Sequence, residues 1–101
     1  MTITRTIGAY HDSSSGRIRK IGQFAGPSSY TTGGDPLTAA TLGMGRVEVL
    51  LMEPFDNGTV IILAVYQVVA ATVKFYDMAG AQIANGTDLS AYNSRFEAIG
   101  I

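Results

Sequence analysis

The feature of the sequence that most limits its fold is an apolar run at residues 60–73, VIILAVYQVVAATV. If the first half of this run is a strand, both of its alternating sets of positions are apolar. One face would carry Val60, Ile62 and Ala64. The opposite face would carry Ile61, Leu63 and Val65. An antiparallel strand with one face in water alternates apolar and polar residues, so both faces of this strand are predicted to be covered.

Two arrangements would cover the second face. In one, the two layers of a sandwich and a short helix enclose it; in the other, it contacts another subunit or a scaffold. Exposure would forfeit about 1.5–3 kcal/mol for each side chain. A chain of 101 residues fits one domain and has little else to cover this face, which favours the external contact. The candidate contact residues are Ile61, Leu63 and Val65, with a polar rim of Arg17, Arg19 and Lys20.

The same run does not have the character of a membrane helix. Tyr66 and Gln67 interrupt it, and it falls short of the roughly 18 residues that a spanning helix requires. The N-terminal residues MTITRTIGAY contain no apolar segment after a basic end, so no secretory signal is visible. We therefore expect a protein that is made and used without export and that has no membrane partner.

Charge and cysteine content exclude several function classes. The net charge is −1, so no overall field attracts the chain to nucleic acid or to an anionic membrane. The absence of cysteine excludes disulfides, thiolate metal sites and thiol nucleophiles. Charged residues make up 15% of the chain, against about a quarter in an average globular domain. Part of the surface is therefore predicted to lie under a partner.

Short segments rich in β-branched and aromatic residues, separated by Gly, Asn and Asp, indicate a mainly β protein. The predicted strands span residues 2–7, 17–24, 47–52, 60–66, 72–76, 82–84 and 95–99. The second alternates poorly, which predicts an edge strand or a bulge near Gly22. In the third, the residues expected to share a face are Val47, Val49 and Leu51.

Turn signals separate these strands. Asn-Gly pairs at 57–58 and 85–86 predict tight turns, and the first is expected to pair strand 47–52 with strand 60–66. A polar loop is expected at 11–16 and another turn at 78–80. Sequential strands joined by such turns favour antiparallel pairing.

One short helix is predicted at residues 37–42. Asp35 can cap it, Pro36 suits its first turn, and Gly43 suits the left-handed residue after its end. So short a helix persists only if its two leucines, Leu37 and Leu42, dock on a sheet.

The expected fold is a single domain over residues 1–101. It is a compact antiparallel β-sandwich or barrel-like domain of about six or seven strands, with the one short helix at 37–42. Whether residues 1–16 form an ordered strand or a flexible N-terminal arm is left open.

The segment SSYTTGGDPLTAATLG at 28–43 shares ingredients with a phosphate-binding loop. Such a loop requires a lysine and a hydroxyl after its glycines, whereas here Gly34 is followed by Asp35 and Pro36. The carboxylate would repel an anion, and proline removes an amide that would have bound it. A capped turn is therefore favoured over a nucleotide site.

Other candidate sites are weaker. His11, the one histidine, lies beside Asp12 without the further ligands that zinc requires, so a solvated loop histidine is favoured. Basic residues cluster at 17–20, RIRK, and with Tyr10 they could contact nucleic acid. Surface solvation, or an ion pair to a neighbouring subunit, is the favoured interpretation of this cluster. We expect no enzymatic activity, no metal and no cofactor.

Two groups of turn and strand-end residues stand out after residue 28. The first comprises Tyr30, Gly33, Gly34, Asp35, Leu37, Thr38, Leu42 and Gly43. The second comprises Gly86, Thr87, Asp88, Leu89, Ser90, Arg95, Glu97, Ala98 and Gly100. In this pattern the sequence resembles a family of small structural proteins encoded among the head genes of tailed bacteriophages. The resemblance covers residues 28–101 and departs at 60–73, where the family has more polar residues.

The resemblance implies a capsid decoration or cement protein, a small β-domain on the outer surface of the head that ties neighbouring major capsid subunits together. Such a protein is made in the host cytoplasm, forms a homodimer or homotrimer, and resides in the virion. The rival structural interpretation is a head fibre base or a tail tube or adaptor subunit. The rival from another class is a small nucleic-acid-binding β-barrel that uses Tyr10 and residues 17–20.

Overall fold

Eight antiparallel strands form one curled sheet in the computed structural model of the chain, which describes residues 2–12 and 16–101. In chain order they are β1 (Thr2–Asp12), β2 (Arg17–Ala25), β3 (Asp35–Pro36), β4 (Val47–Met52), β5 (Phe55–Asp56), β6 (Ile61–Gln67), β7 (Thr72–Tyr76) and β8 (Asn93–Gly100). The order across the sheet is β1-β2-β8-β5-β6-β7-β3, and β4 pairs with β8 beside β5. The mainly β class is confirmed, and the sheet curls into a half-barrel.

β8 is the centre of the sheet because it has strand neighbours along both edges. On one side it pairs with β2 over its whole length. On the other side it pairs with β4 and then, at Asn93, with Asp56 of β5. Its buried side chains alternate with more exposed ones and include Ser94, Phe96 and Ala98. This period of two residues is what a strand with one covered face requires.

Aromatic rings fill the inner side of the curled sheet. Phe24 and Phe96 stack with their ring centroids 4.0 Å apart. Phe75 meets Tyr30 and Phe55 edge-on, with centroids 5.5 and 5.0 Å away. All five rings are buried, and such pairs add about 0.5–1.5 kcal/mol each beyond the area they bury. These contacts hold β2, β5, β7 and β8 on a single core.

Tyr30 closes the edge of β7 that faces away from β6. Its hydroxyl accepts the buried N–H of Phe75 at 3.1 Å, and the Phe75 carbonyl accepts the N–H of Ile83 at 3.0 Å. β3 covers the same edge further along, with Asp35 opposite Val73. The backbone of Tyr30 is bonded in turn to Gly86 and Thr87. One tyrosine thus joins the loop before β3, the loop after β7 and the sheet itself.

The helix predicted at residues 37–42 is wrong, because this segment forms successive tight turns. Three amides bond to the carbonyls three residues before them at 3.0–3.1 Å, those of Thr41, Leu42 and Gly43. The docking expected of the two leucines does occur, since Leu37 and Leu42 are both buried. Gly43 also has the expected left-handed backbone, with φ 69°.

Strand pairing explains why no helix starts here. Asp35 and Pro36 are extended in β3 and pair with Val73 and Thr72 of β7. The amide of Leu37 continues this pairing by donating to the Ala71 carbonyl at 2.8 Å. The few residues left before Gly43 are too few to nucleate a stable helix.

The tight turn predicted at residues 57–58 forms, but it joins β6 to β5 and not to β4. The Asn57 side-chain oxygen accepts the amides of Thr59 and Val60 at 2.9 and 2.8 Å, and Gly58 has φ 94°. β5 and β6 share two residue pairs, and β4 pairs instead with β8. The predicted pairing of strand 47–52 with strand 60–66 is therefore wrong.

Pro54 explains why the hairpin is so short. The Glu53 amide donates to the Arg95 carbonyl at 3.0 Å, in register with the pairing of β4 and β8. Beyond Pro54 the register has slipped by one residue, because Asp56 lies opposite Asn93. Proline has no amide to donate, and such a slip is a bulge that bends the strand. β4 therefore pairs with β8, and β6 beyond Ile62 pairs with β7 alone.

Three other strand predictions differ from the structure. A register shift at Glu48 turns Val47 inward, whereas Val49 and Leu51 face outward, so the common face predicted for these three is wrong. β2 is not an edge strand, since it lies between β1 and β8, and the register shifts near Gly22 lie in its partner β1. The strand predicted at 82–84 is reduced to a single bridge, between Gln82 and Tyr76.

The N-terminal residues pair with β2. β1 begins at Thr2 opposite Ala25 and reaches Asp12 opposite Arg17, so it is longer than the strand predicted at 2–7. The polar loop predicted at 11–16 begins inside this strand, and residues 13–15 lie outside the described part of the chain. On β1, the side chain of Ile3 is half-buried and packs against the core.

We expect Tyr30→Phe to lower the free energy of unfolding by about 1–3 kcal/mol, because it leaves the buried Phe75 N–H without an acceptor while keeping the ring. Urea unfolding followed by circular dichroism measures the loss. Tyr76→Phe is the matched control, since Tyr76 is half-buried on the outer face of the same sheet. It should change the free energy by less than about 0.5 kcal/mol. Unchanged stability of Tyr30→Phe would contradict the assigned bond.

Candidate interaction surface

β6 presents an apolar face that the described residues leave open. Ile61, Leu63 and Val65 point outward and are exposed to 48%, 39% and 48%. Their alternate neighbours turn inward onto the core, namely Ile62, Ala64 and Tyr66. The three predicted contact residues therefore share one face, and no second layer of the described chain encloses them. Across this face on β7, Lys74 adds a single charge opposite Val65.

The loop between β6 and β7 is apolar as well. Residues 68–71 read Val-Val-Ala-Ala and form the turn, in which Val69 is fully exposed and Val68 is half-exposed. Ala71 has φ 53°, and in the described chain no other residue except glycine has a positive φ. Tight turns usually carry Gly, Asn, Asp or Pro, so local turn chemistry explains neither this composition nor this conformation.

This loop was missed by the sequence-based prediction, which assigned no contact to it. The signal that could have found it is the absence of any turn-forming residue between Gln67 and Thr72. Left-handed backbone at an alanine costs free energy and tends to occur at functional sites. We refer to the outward residues of β6 and this loop together as the β6 surface: Ile61, Leu63, Val65, Val68 and Val69.

Exposed apolar side chains are concentrated in one part of the sequence. Ten large hydrophobic side chains are exposed among the described residues. Eight of them lie between residues 49 and 69: Val49, Leu51, Val60, Ile61, Leu63, Val65, Val68 and Val69. Single exposed apolar residues are ordinary, but a concentration of them is typical of an interaction surface.

A depression of about 390 Å³ lies on the outer side of β4 and β8. Its lining residues are Ile21, Leu51, Met52, Glu53, Arg95, Phe96 and Glu97. The charges in this lining have partners, since Arg95 lies 3.3 Å from Glu53 and Glu97 lies 3.2 Å from Arg19. Paired surface charges contribute little and leave no free charge to orient a small ligand, so we assign none.

The predicted polar rim lies away from β6. Arg17 donates to both carboxylate oxygens of Glu48 at 3.1 Å, and Arg19 lies 3.2 Å from Glu97. Lys20 alternates with these two and turns to the other side of β2. β8 and β5 separate β2 from β6 in the sheet. The structure therefore brings Ile61, Leu63 and Val65 together but does not place the basic residues around them.

The amides of the glycine loop already have partners. Thr32 N donates to the side-chain oxygen of Asn85 at 3.0 Å, and Gly33 N donates to that of Gln82 at 3.3 Å. The Gly34 amide bonds within the loop, to the carbonyl of residue 31. A phosphate-binding loop points free amides at its ligand, so these bonds weigh against a nucleotide site here.

The candidate sites at His11 and Tyr10 lie outside the described side chains, as does that of Asp12. All three residues belong to β1. Over the remaining side chains, no group of three or more His, Asp and Glu residues gathers where it could hold a metal ion. Nor does the described chain contain an apolar helix of membrane-spanning length.

Among the side chains that the structure describes, those of Asp88 and Tyr66 have shifted pKa values, and both form hydrogen bonds that hold loops. Asp88 accepts the hydroxyl of Ser90 at 2.6 Å and its amide at 2.9 Å, which holds the pKa of Asp88 below its ordinary value. These bonds are therefore present at neutral pH and are lost as the pH falls through that lowered pKa. Burial raises the pKa of the Tyr66 hydroxyl, which donates to the Leu37 carbonyl at 3.2 Å. That bond is lost only in strong base.

The chain matches no protein-family model, no curated protein and no solved structure. The candidate site is therefore identified from the physical features of the structure. The most distinctive feature is the β6 surface, where apolar side chains, an apolar loop and a strained alanine occur together.

Two adjacent isoleucines test the assignment of this surface. Ile61 is exposed to 48% and Ile62 to 2%, so we expect Ile61→Ala to change the free energy of unfolding by less than about 0.5 kcal/mol. Ile62→Ala leaves a cavity in the core and should cost about 2–5 kcal/mol. Urea unfolding of the two variants at low protein concentration measures the difference. Equal losses would show that the outer face is covered within the chain.

Proposed function

We propose that this protein is a capsid decoration or cement protein of a tailed bacteriophage, which binds the outer surface of the head and stabilises contacts between major capsid subunits. The observation that carries the proposal is the β6 surface, which is apolar and exposed on the single chain. Covering it at a subunit junction would contribute about 1.5–3 kcal/mol for the fully exposed Val69 and about half as much for each of the half-exposed side chains. This gain offsets the cost of attaching a small domain to a shell.

The residues that carry the family resemblance stabilise the fold and lie outside the proposed contact surface. Tyr30, Leu37, Leu42 and Leu89 are buried. Other members of the two motif groups are glycines at positive φ, including Gly33, Gly34, Gly43 and Gly86. The β6 surface lies at 61–69, within the segment where the resemblance departs. A contact surface must fit its own partner, so this segment is where members that decorate different shells are expected to differ.

A head fibre base, or a tail tube or adaptor subunit, would use the same kind of surface. Location and copy number separate these functions. A decoration protein should be abundant on purified heads that lack tails, because it repeats with the shell subunits. An adaptor or fibre base should be absent from such heads or present in a few copies at one vertex.

The nucleic-acid interpretation is less favoured. Arg17 and Arg19 face carboxylates of the same chain, Glu48 and Glu97, which reduces their attraction for phosphate. Joint replacement of Arg17, Arg19 and Lys20 by Ala tests this directly. A nucleic-acid binder would lose salt-sensitive affinity for DNA, whereas we expect the parent protein to have none to lose.

Heads that lack the protein provide the decisive experiment. Purified protein is added to them and the product is imaged, with ordered density expected on the outer surface at subunit junctions. Leu63→Asp and Val69→Asp should each weaken binding at least about tenfold, because binding would bury a carboxylate without a partner. Thermal unfolding should be nearly unchanged, since both side chains are exposed.

Met78→Asp is the matched control for these variants. Met78 is also large, apolar and exposed, but it lies in the turn after β7 and outside the β6 surface. It should bind heads as the parent does. If Leu63→Asp and Val69→Asp also bind as the parent does, the β6 surface is not the head contact. If the parent itself ignores heads, the proposed function is wrong.

A further inference from the structure

Four strands have an edge without a strand partner among the described residues, and three of these edges are protected. β1 has two register shifts, β3 is two residues long and contains Pro36, and β4 has a bulge at Glu48. Bulges, prolines, short length and charges are the means by which proteins prevent edge-to-edge pairing. β6 beyond Ile62 has none of them, since residues 63–67 contain no charge, proline, glycine or register shift.

The hydrogen-bonding pattern identifies which groups this edge offers. The N–H and C=O of Phe75 both point away from β6, to Tyr30 and Ile83. Ala64, which lies opposite Phe75, therefore points its own N–H and C=O away from β7. Two residues further on, the same alternation applies to Tyr66. The free edge of β6 thus presents four backbone groups, two from Ala64 and two from Tyr66.

We infer that a second copy of this chain occupies the edge, with β6 pairing antiparallel to β6 of its partner about a two-fold axis at Val65. In this register Ala64 of each copy lies opposite Tyr66 of the other, and all four free groups of each edge are used. Shifting the register toward Ile62 would compete with β5, which already pairs there. A shift in the other direction would leave Ala64 opposite residue 68, in the turn.

The side chains also suit this pairing. Val65 would meet its own copy at the axis as a close pair of β-branched residues, which is favourable across strands. β6 has no charge to repel itself, and Lys74 lies one strand away from the join on each side. The Cα atoms of the two Lys74 residues would be about 14 Å apart, beyond the screening length of physiological salt.

This inference rests on the proposed function and extends it, because it names a second copy of the chain as the partner along the free edge of β6. Edge pairing leaves Leu63 and Val65 of both copies on the outer face. The dimer would therefore present a continuous apolar surface of twice the size to the head. Its test needs no heads, so failure of the dimer and failure of head binding are distinguishable.

Single cysteines test the register, because the chain has no cysteine of its own. Non-hydrogen-bonded pairs place Cα atoms about 4.5 Å apart, which suits a disulfide. Val65→Cys should therefore form a covalent dimer as the major product of mild oxidation at micromolar concentration. Leu63→Cys is the matched control, since its two copies would lie about 13 Å apart and should not cross-link. A mixture of Leu63→Cys and Gln67→Cys should cross-link, because these residues would lie opposite each other.

Proline at the edge provides an independent test on the otherwise unchanged chain. Ala64→Pro removes an N–H that β7 does not use, so the monomer fold should be retained by circular dichroism. Each dimer loses two hydrogen bonds, and dissociation measured by analytical ultracentrifugation should become easier by about tenfold or more.

Three results would overturn the inference. One is a parent protein that stays monomeric at concentrations at which Val65→Cys also fails to cross-link. Another is cross-linking of Leu63→Cys alone in preference to Val65→Cys, which would require a different register. The third is an imaged head complex in which an extended segment of the capsid protein, and not a second copy, pairs with β6.

Discussion

The architecture depends on a single interruption, the proline at position 54. Without it, the turn at residues 57–58 would extend into a long hairpin, and β6 would lie along β4. At Pro54 the register against β8 slips by one residue, and β4 and β6 separate. β4 pairs with β8 in one part of the sheet, and β6 pairs with β7 in the other. The open edge of β6 beyond Ile62 follows from this separation.

Local features of the sequence predicted local structure well. The strands at 47–52 and 72–76 have the predicted bounds, and the Asn-Gly turn forms where its residues require. Pairing between distant segments was not predictable in the same way. β4 was expected to follow the nearest turn, whereas it pairs with a strand more than forty residues later in the sequence. The short helix was not formed for a related reason, since Asp35 and Pro36 are extended and pair with β7.

The candidate surface was partly visible in the sequence. Apolar residues on both faces of one strand indicated that Ile61, Leu63 and Val65 would need an external cover, and they are exposed on the single chain. The adjoining loop was not predicted, because an apolar segment without turn-forming residues gives no turn signal. The basic cluster at 17–20 was predicted as a rim. Its distance from β6 follows from the order of strands, which no local pattern encodes.

The central place of β8 has a consequence for how the chain folds as it is synthesised. β2, β4 and β5 each pair with a strand that is translated after them. The β6–β7 hairpin can close early because its partners are adjacent in sequence, but the sheet that anchors it cannot. Pairing of β2, β4 and β5 with β8 must therefore wait until the strand at Asn93–Gly100 has been synthesised.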